Sequence, residues 1–243
     1  MIRTESLTRH YGSLVAVQNL DMTVARGELF GFLGRNGAGK TTVIRILAGL
    51  LRPTAGAAFV AGHNVEREPL AAKKAIGYLA QTPLLYDSLT GREFLRFLGG
   101  LYGLDDQRIE ARSNQFLELL ELTDKADNLI GGYSGGMRHR IGLCGALLHE
   151  PQVLLLDEPL VGLDPYGARL VKEMLRDLCR QGCTVFLSTH AMEVVERLCT
   201  RVAILNQGQL VAVGSVEELR EEADFAVESS LEDVFLHMTG KGA

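Results

Sequence analysis

The apolar run Leu29–Leu33 leads directly into Gly34-Arg35-Asn36-Gly37-Ala38-Gly39-Lys40-Thr41-Thr42. The segment matches G-x-x-x-x-G-K-[ST]. Behind it, Thr41–Leu50 reads as a helix, with Ile44, Leu47 and Leu51 at helical spacing. Strand, glycine loop and helix in that order are the context the motif requires. The glycines let successive backbone N–H groups point into one concavity, and the helix N-terminus adds partial positive charge there. Lys40 is placed to reach the β and γ phosphates of a nucleotide, and the Thr41 hydroxyl to ligate Mg²⁺. Average composition would produce the pattern by chance in roughly one chain in a hundred. A dinucleotide fingerprint fails, because Gly37-x-Gly39 is followed by Lys-Thr-Thr in place of a third glycine.

This loop fixes an expectation for the rest of the chain. Short strands are expected at Ile2–Thr8, Val17–Val24, Phe59–Ala61 and Ile76–Leu79. Buried strands are expected at Val153–Leu156 and Val185–Leu187, whose uninterrupted apolar runs suit strands covered on both faces. Residues from about 90 to 128 are helical in pattern, and Val171, Met174, Leu175 and Leu178 form a helix stripe that Gly182 ends. The fold class is therefore α/β: a phosphate-loop core on a parallel sheet, an N-terminal antiparallel β region and a helical insertion. We expect a single unit over 1–243, its α/β core formed by 1–87 and 151–243 and its helical part by 88–150.

Composition narrows the function classes. Of 243 residues, 27 are glycine without matching proline or serine enrichment, which points to loops that approach something closely. A net charge of −5 argues against a nucleic-acid partner held by a basic face. No apolar run reaches the roughly 18 residues of a membrane span, and the first residues hold no apolar signal core. We therefore expect a cytoplasmic chain that meets a membrane through a partner. The four cysteines, 144, 179, 183 and 199, form no Cys-x-x-Cys pair and read as free thiols.

A second constellation follows at Val153-Leu154-Leu155-Leu156-Asp157-Glu158. Ligands of open α/β sheets collect at strand C-termini, so these acids belong beside the phosphate loop. Asp157 would hold Mg²⁺ through its water shell, and Glu158 would polarise an attacking water. Ser188-Thr189-His190 ends the next apolar strand; His190 is either structural or a sensor of the γ-phosphate. Gln81 follows the strand Ile76–Leu79, from where its amide oxygen could face Mg²⁺ or water. Tyr11 is either an edge-strand aromatic or a stacking surface for a base. Ser134, in Tyr133-Ser134-Gly135-Gly136-Met137, is a good helix N-cap, but the two glycines weaken that helix unless something must come close. Asp164 before Pro165 is likewise a good N-cap with proline at the first helical position.

The ordered set of phosphate loop, Gln81, Ser-Gly-Gly, apolar-Asp-Glu, Gly162-Leu163-Asp164 and Ser-Thr-His resembles the nucleotide-binding subunit of ABC transporters over nearly the whole chain. The resemblance implies a Mg²⁺-dependent ATPase working as a head-to-tail pair of cassettes, as homodimer or heterodimer, with two ATPs between them. It implies that Ser134, Gly135 and Gly136 cap the γ-phosphate held by the other subunit, that Tyr11 meets adenine, and that Asp164 bridges the pair. The family's usual Leu-Ser-Gly-Gly-Gln is altered here: Tyr133 replaces Leu and Met137 replaces Gln. Leu160 stands where Thr is common. Tyr78-Leu79-Ala80-Gln81, Leu85-Tyr86, Leu89-Thr90-Gly91 with Glu93, Leu101-Tyr102-Gly103 and Leu231-Glu232-Asp233-Val234-Phe235 look like the bacterial export branch. That likeness implies a separate integral-membrane permease chain, contacted by residues 82–100, and a position on the inner face of the cell membrane.

Overall fold

Glycine turns and alternating burial divide the first sixty residues into antiparallel strands. The computed structural model describes residues 1–223 and 229–240. In it β1 (Ile2–Tyr11) pairs with β2 (Leu14–Val24) and, on its other edge, with β4 (Ala55–Val60). A two-residue strand, β5 (His63–Asn64), closes the antiparallel sheet in the order β2-β1-β4-β5. Both long strands extend beyond the apolar runs that announce them. Ser6 and Asn19, at φ 44° and 46°, sit where the register shifts, and such irregularities let pairing continue past a break in alternation.

The second sheet runs β10-β9-β3-β8-β7-β6. Its members are β3 (Leu29–Leu33), β6 (Ile76–Leu79), β7 (Val153–Asp157), β8 (Thr184–Thr189), β9 (Arg201–Asn206) and β10 (Gln209–Gly214). All neighbours are parallel except β10, which returns antiparallel along β9. Every residue of β3, β7 and β8 is buried, as expected of central strands.

The register aligns the strand ends. Leu33 lies opposite Thr189, Asp157 opposite Ser188, and Leu79 opposite Leu156. The loops after β3, β6, β7 and β8 therefore leave from one edge. Between β7 and β8 runs the amphipathic helix α6 (Pro165–Arg180), capped by Asp164, whose side chain accepts from Gly167 N at 2.6 Å. The phosphate-loop helix is α1 (Lys40–Leu47), and a short α2 (Pro69–Ala75) precedes β6.

The expected helical stretch resolves into α3 (Gly91–Leu101), α4 (Asp106–Leu119) and, beyond it, α5 (Gly135–Leu147). Phe94, Phe116, Ile130 and Ile141 share one apolar core with Leu154, Leu156 and Leu187, so the helices lie against one face of the sheet. The opposite face packs Phe30, Phe32 and Phe186 against residues of the antiparallel sheet and α1. A third cluster seats α7 (Met192–Leu198), α8 (Val216–Glu222) and α9 (Leu231–Gly240), which begins at Leu231-Glu232-Asp233-Val234-Phe235. All four cysteines are free thiols. Burial pushes the thiols of Cys179 and Cys183 up to about 11 and about 12, and raises those of Cys144 and Cys199 further. Among the described residues, no helix is long and apolar enough to cross a membrane.

A candidate nucleotide-binding and hydrolysis site

The loop between β3 and α1 turns sharply because Gly39 takes φ 107° as the cap of α1. A Cβ there would stand 2.4 Å from the Ala16 carbonyl oxygen, so only glycine lets the loop fold down against β2. Lys40 is buried, and its Nζ donates to the carbonyls of Gly34 at 2.7 Å and Arg35 at 3.3 Å. Burial lowers its pKa, and the carboxylates of Glu158 and Asp157 partly offset that. The ammonium thus sits at the floor of the loop with its charge incompletely compensated.

Opposite it stand the acids at the end of β7. Thr41 Oγ1 donates to Asp157 Oδ2 at 2.9 Å, and the Ser188 hydroxyl donates to Asp157 Oδ1. These facing oxygens are hard donors of the type that suits Mg²⁺. Glu158 is 95% buried, with its Oε1 3.8 Å from Lys40 Nζ. Its backbone is left-handed at φ 52°, a costly conformation for a residue with a side chain, which persists only where its surroundings enforce it. They do so here. Glu158 N donates to Ser188 O at 3.0 Å, Thr189 Oγ1 donates to Oε2 at 2.9 Å, and His190 Nδ1 lies 2.8 Å from Oε1. The result is a buried carboxylate held in one orientation, with the half-exposed His190 ring beside it.

Around these groups lies a cleft of about 640 Å³. Asn36, Gly37, Gly39, Lys40, Thr41 and Thr42 line it from the loop, Asp157 and Glu158 from β7, and Gln81 from beyond β6. Tyr11 stands at its mouth, with the Arg9 guanidinium 4.7 Å from the ring centroid on one face. The structure adds Leu14, Val15 and Ala16 from β2, and Gln207 from the β9–β10 turn. None of these four belongs to a motif, and Gln207 becomes a wall only because its hairpin returns beside the loop: Gly208 N donates to Ala38 O at 2.9 Å. Gly34, Arg35 and Ala38 shape the loop through their backbone and do not line the cleft.

Ser134, Gly135, Gly136 and Asp164 are also absent from that lining. Ser134 is exposed at the start of α5 beside a separate hollow formed with Lys125, Leu129, Tyr133 and Met137. The first turn of α5 rests on the segment after Glu158: a Cβ on Gly136 would lie 3.5 Å from the Gly162 carbonyl oxygen. His139 of the same helix is buried, which lowers its pKa. Ser134 Oγ accepts from Met137 N at 3.3 Å, and Met137 has no group to return the bond. Met137→Gln would complete that capping box, but Met137 also packs against the helical core. We expect the two effects to offset, moving the unfolding midpoint by no more than ~2 °C with ATPase activity retained. Loss of activity in a folded variant would show that Met137 has a role of its own.

A phosphate loop after a central strand of a mostly parallel sheet, facing an Asp-Glu pair at the end of the next strand but one, defines a phosphate-loop nucleotide hydrolase. The sequence matches the ABC transporter family over residues 17–161. It is 42% identical over 221 residues to the daunorubicin resistance ATP-binding protein DrrA3 of Streptomyces coeruleorubidus, covering 91% of this chain and 70% of that protein. It is 42% identical over 214 residues to the Nod factor export ATP-binding protein I of Rhizobium sp. (strain N33), covering 88% and 70%. A solved ATP-binding subunit of an ABC transporter superposes with a TM-score of 0.93 at 29% identity, covering 98% of this chain and 99% of that one. The chain belongs to the ABC transporter family and is its ATP-binding, ATP-hydrolysing component.

Proposed function

We propose that this chain drives an exporter by closing against a second cassette on Mg²⁺-ATP and reopening after hydrolysis. The observation that carries this reading is the separation of Ser134 from the cleft that holds Lys40 and Glu158 in the same chain. A γ-phosphate donor placed there serves a site only if that site belongs to another copy. In this reading residues 1–87 and 151–243 form the nucleotide-binding lobe, and 88–150 form the lobe that presents Ser134, Gly135 and Gly136 in trans.

Each remaining residue then has a task. Tyr11 offers its open face to the adenine, with Arg9 behind the ring. The loop amides of residues 34–42 and Lys40 bind the phosphates. Thr41, Gln81 and Asp157 would hold Mg²⁺, which when bound neutralises phosphate charge. Glu158, fixed by Thr189 and His190, accepts a proton from the attacking water, and His190 senses the γ-phosphate from the exposed side. Asp164, beside the glycine turn that touches α5, lies at the seam between the copies.

Export is supported by the names of the relatives, which denote drug resistance and export. A separate permease is supported by an apolar groove of about 490 Å³ between β6, α3 and α5. Leu84 is 93% exposed at its lip, with Tyr86, Phe97 and Leu101 also exposed. Such a patch suits a helical segment of a membrane partner, and supports the reading that the chain works at the inner face of the membrane. The test is retrieval of a polytopic membrane chain from detergent-solubilised membranes with the tagged protein. Phe97→Glu should abolish that retrieval while the affinity for ATP, measured on the same samples, stays at the parent value. Equal recovery by parent and variant would remove the groove as the docking site.

A further inference from the structure

Tyr133 stands where the family's usual signature has leucine. The apolar part of the ring occupies the helical core, so the hydroxyl is what the change adds. The residue is buried, and its hydroxyl is held at both sides: it donates to the Lys125 carbonyl at 2.7 Å and packs against the backbone at Gly91. Gly91 is the first residue of α3, so its N–H is one of the donors a helix cannot satisfy internally. The other donors at this end are already used: Thr90 Oγ1 accepts from Glu93 N at 3.2 Å, and Glu93 Oε2 accepts from Thr90 N at 2.8 Å.

Gly91 is shaped for this contact. A Cβ there would stand 2.6 Å from Tyr133 Oη and 3.1 Å from the Ala126 carbonyl oxygen. The surrounding chain is stitched across the same seam. Ile130 N donates to Leu89 O at 2.8 Å, Gly131 N to Asp87 O at 3.1 Å, and Arg92 N to Ala126 O at 3.0 Å. Arg138 ties α5 to it through Asp87 at 2.7 Å and the Ile130 carbonyl at 3.2 Å. The Tyr133 hydroxyl is the last fixed point on this seam before Ser134, which is exposed.

We infer that Tyr133 is a positioning residue whose hydroxyl, clamped between Gly91 and Lys125, sets how the Ser134 loop is presented to the second subunit. The inference rests on the proposed action of Ser134 in trans. Removing the hydroxyl leaves the ring in the core but frees the end of the loop. The Lys125 C=O then seeks another partner, the contact with Gly91 loosens, and the loop samples positions that do not match the facing site. The clamp lies outside the chain's own nucleotide cleft, so first binding of ATP to one subunit is untouched.

The experiment uses the full chain carrying Glu158→Gln, so that ATP closes the pair without turnover. Monomer and dimer are quantified across an ATP titration, and ATP affinity is measured on dilute protein. Adding Tyr133→Phe should weaken ATP-driven dimerisation about tenfold, the scale of one lost hydrogen bond to a fixed partner, at unchanged monomer affinity. Gly91→Ala should impair dimerisation as well, since the methyl meets the hydroxyl. The Gly91→Ala/Tyr133→Phe pair should recover part of that loss, because the oxygen it struck is gone. A Tyr133→Phe chain that unfolds at lower temperature but dimerises like its parent would reduce the hydroxyl to a structural bond and overturn the inference. Additive effects in the double variant would also overturn it. If the Glu158→Gln parent binds ATP and stays monomeric, the two-copy reading itself fails, and the clamp has nothing to position.

Discussion

Glu158→Gln is expected to slow ATP turnover by ~10²–10⁴-fold while leaving ATP bound. The substitution keeps the side chain's shape. Gln retains an oxygen for the Thr189 hydroxyl or for the His190 ring, which now hold Oε2 and Oε1 at 2.9 and 2.8 Å. What it loses is the capacity to accept a proton from water at a buried carboxylate 3.8 Å from Lys40 Nζ. The phosphate loop, the Thr41–Asp157 pair and the Tyr11 face are unchanged, so affinity should stay near that of the parent. ATP should then accumulate a closed pair, visible as a doubling of mass on size exclusion. Phosphate release measured over a single turnover checks the rate. Turnover near the parent's would place the proton acceptor elsewhere in the cleft.

Lys40→Ala should have an effect of similar size on an earlier step. Lys40 is the buried cation of the loop, and its ammonium links the Gly34 and Arg35 carbonyls across the turn. Charged hydrogen bonds contribute about 1.5–3 kcal/mol each, so losing contacts to two phosphates weakens binding by ~100-fold or more. The substitution also leaves the buried Glu158 carboxylate without the cation 3.8 Å away, so the thermal midpoint of the nucleotide-free protein should fall as well. Titration with ATP resolves the two. Unchanged affinity would dismiss the phosphate-loop assignment.

How much of this was legible in the sequence differs element by element. The strand Leu29–Leu33 has the bounds that its apolar run predicts, because a strand buried on both faces has no alternation to blur its ends. The acids after Val153–Leu156 could be placed for the same reason. The register that sets Asp157 opposite Ser188 and Leu33 opposite Thr189 then brings the motifs to one edge. Other parts were not legible. The hairpin of β9 and β10 depends on Gln207 and Gly208 at φ 47° and 79°, and only the folded hairpin shows Gln207 turned into the cleft. The stretch from about 90 to 128 is helical in pattern but its division into helices is not legible: Gly103 at φ 74° and the cap at Asp105 separate α3 from α4. Tyr133 read as a departure from a motif; its bond to Lys125 and its approach to Gly91 required two segments distant in sequence to meet. The left-handed turn at Glu158 has no sequence signal at all, since glutamate rarely adopts it.

The central claim is that each ATP site takes Lys40 from one chain and Ser134 from the other, and mixing two defective chains tests it most directly. Lys40→Ala and Ser134→Arg should each be inactive as homodimers: the first lacks the phosphate-binding cation, and the second blocks the facing loop. A mixed pair places both lesions in one site. Its other site combines the intact Lys40 of the Ser134→Arg chain with the intact Ser134 of the Lys40→Ala chain. The measurement is ATP retained after rapid desalting of mixed dimers isolated through two different tags, with Glu158→Gln in both chains so that a closed site keeps its ATP. The account predicts one occluded ATP per mixed dimer and none in either homodimer. Mixed dimers that form and retain no ATP would contradict it, and would return Ser134 to the role of a helix cap on α5.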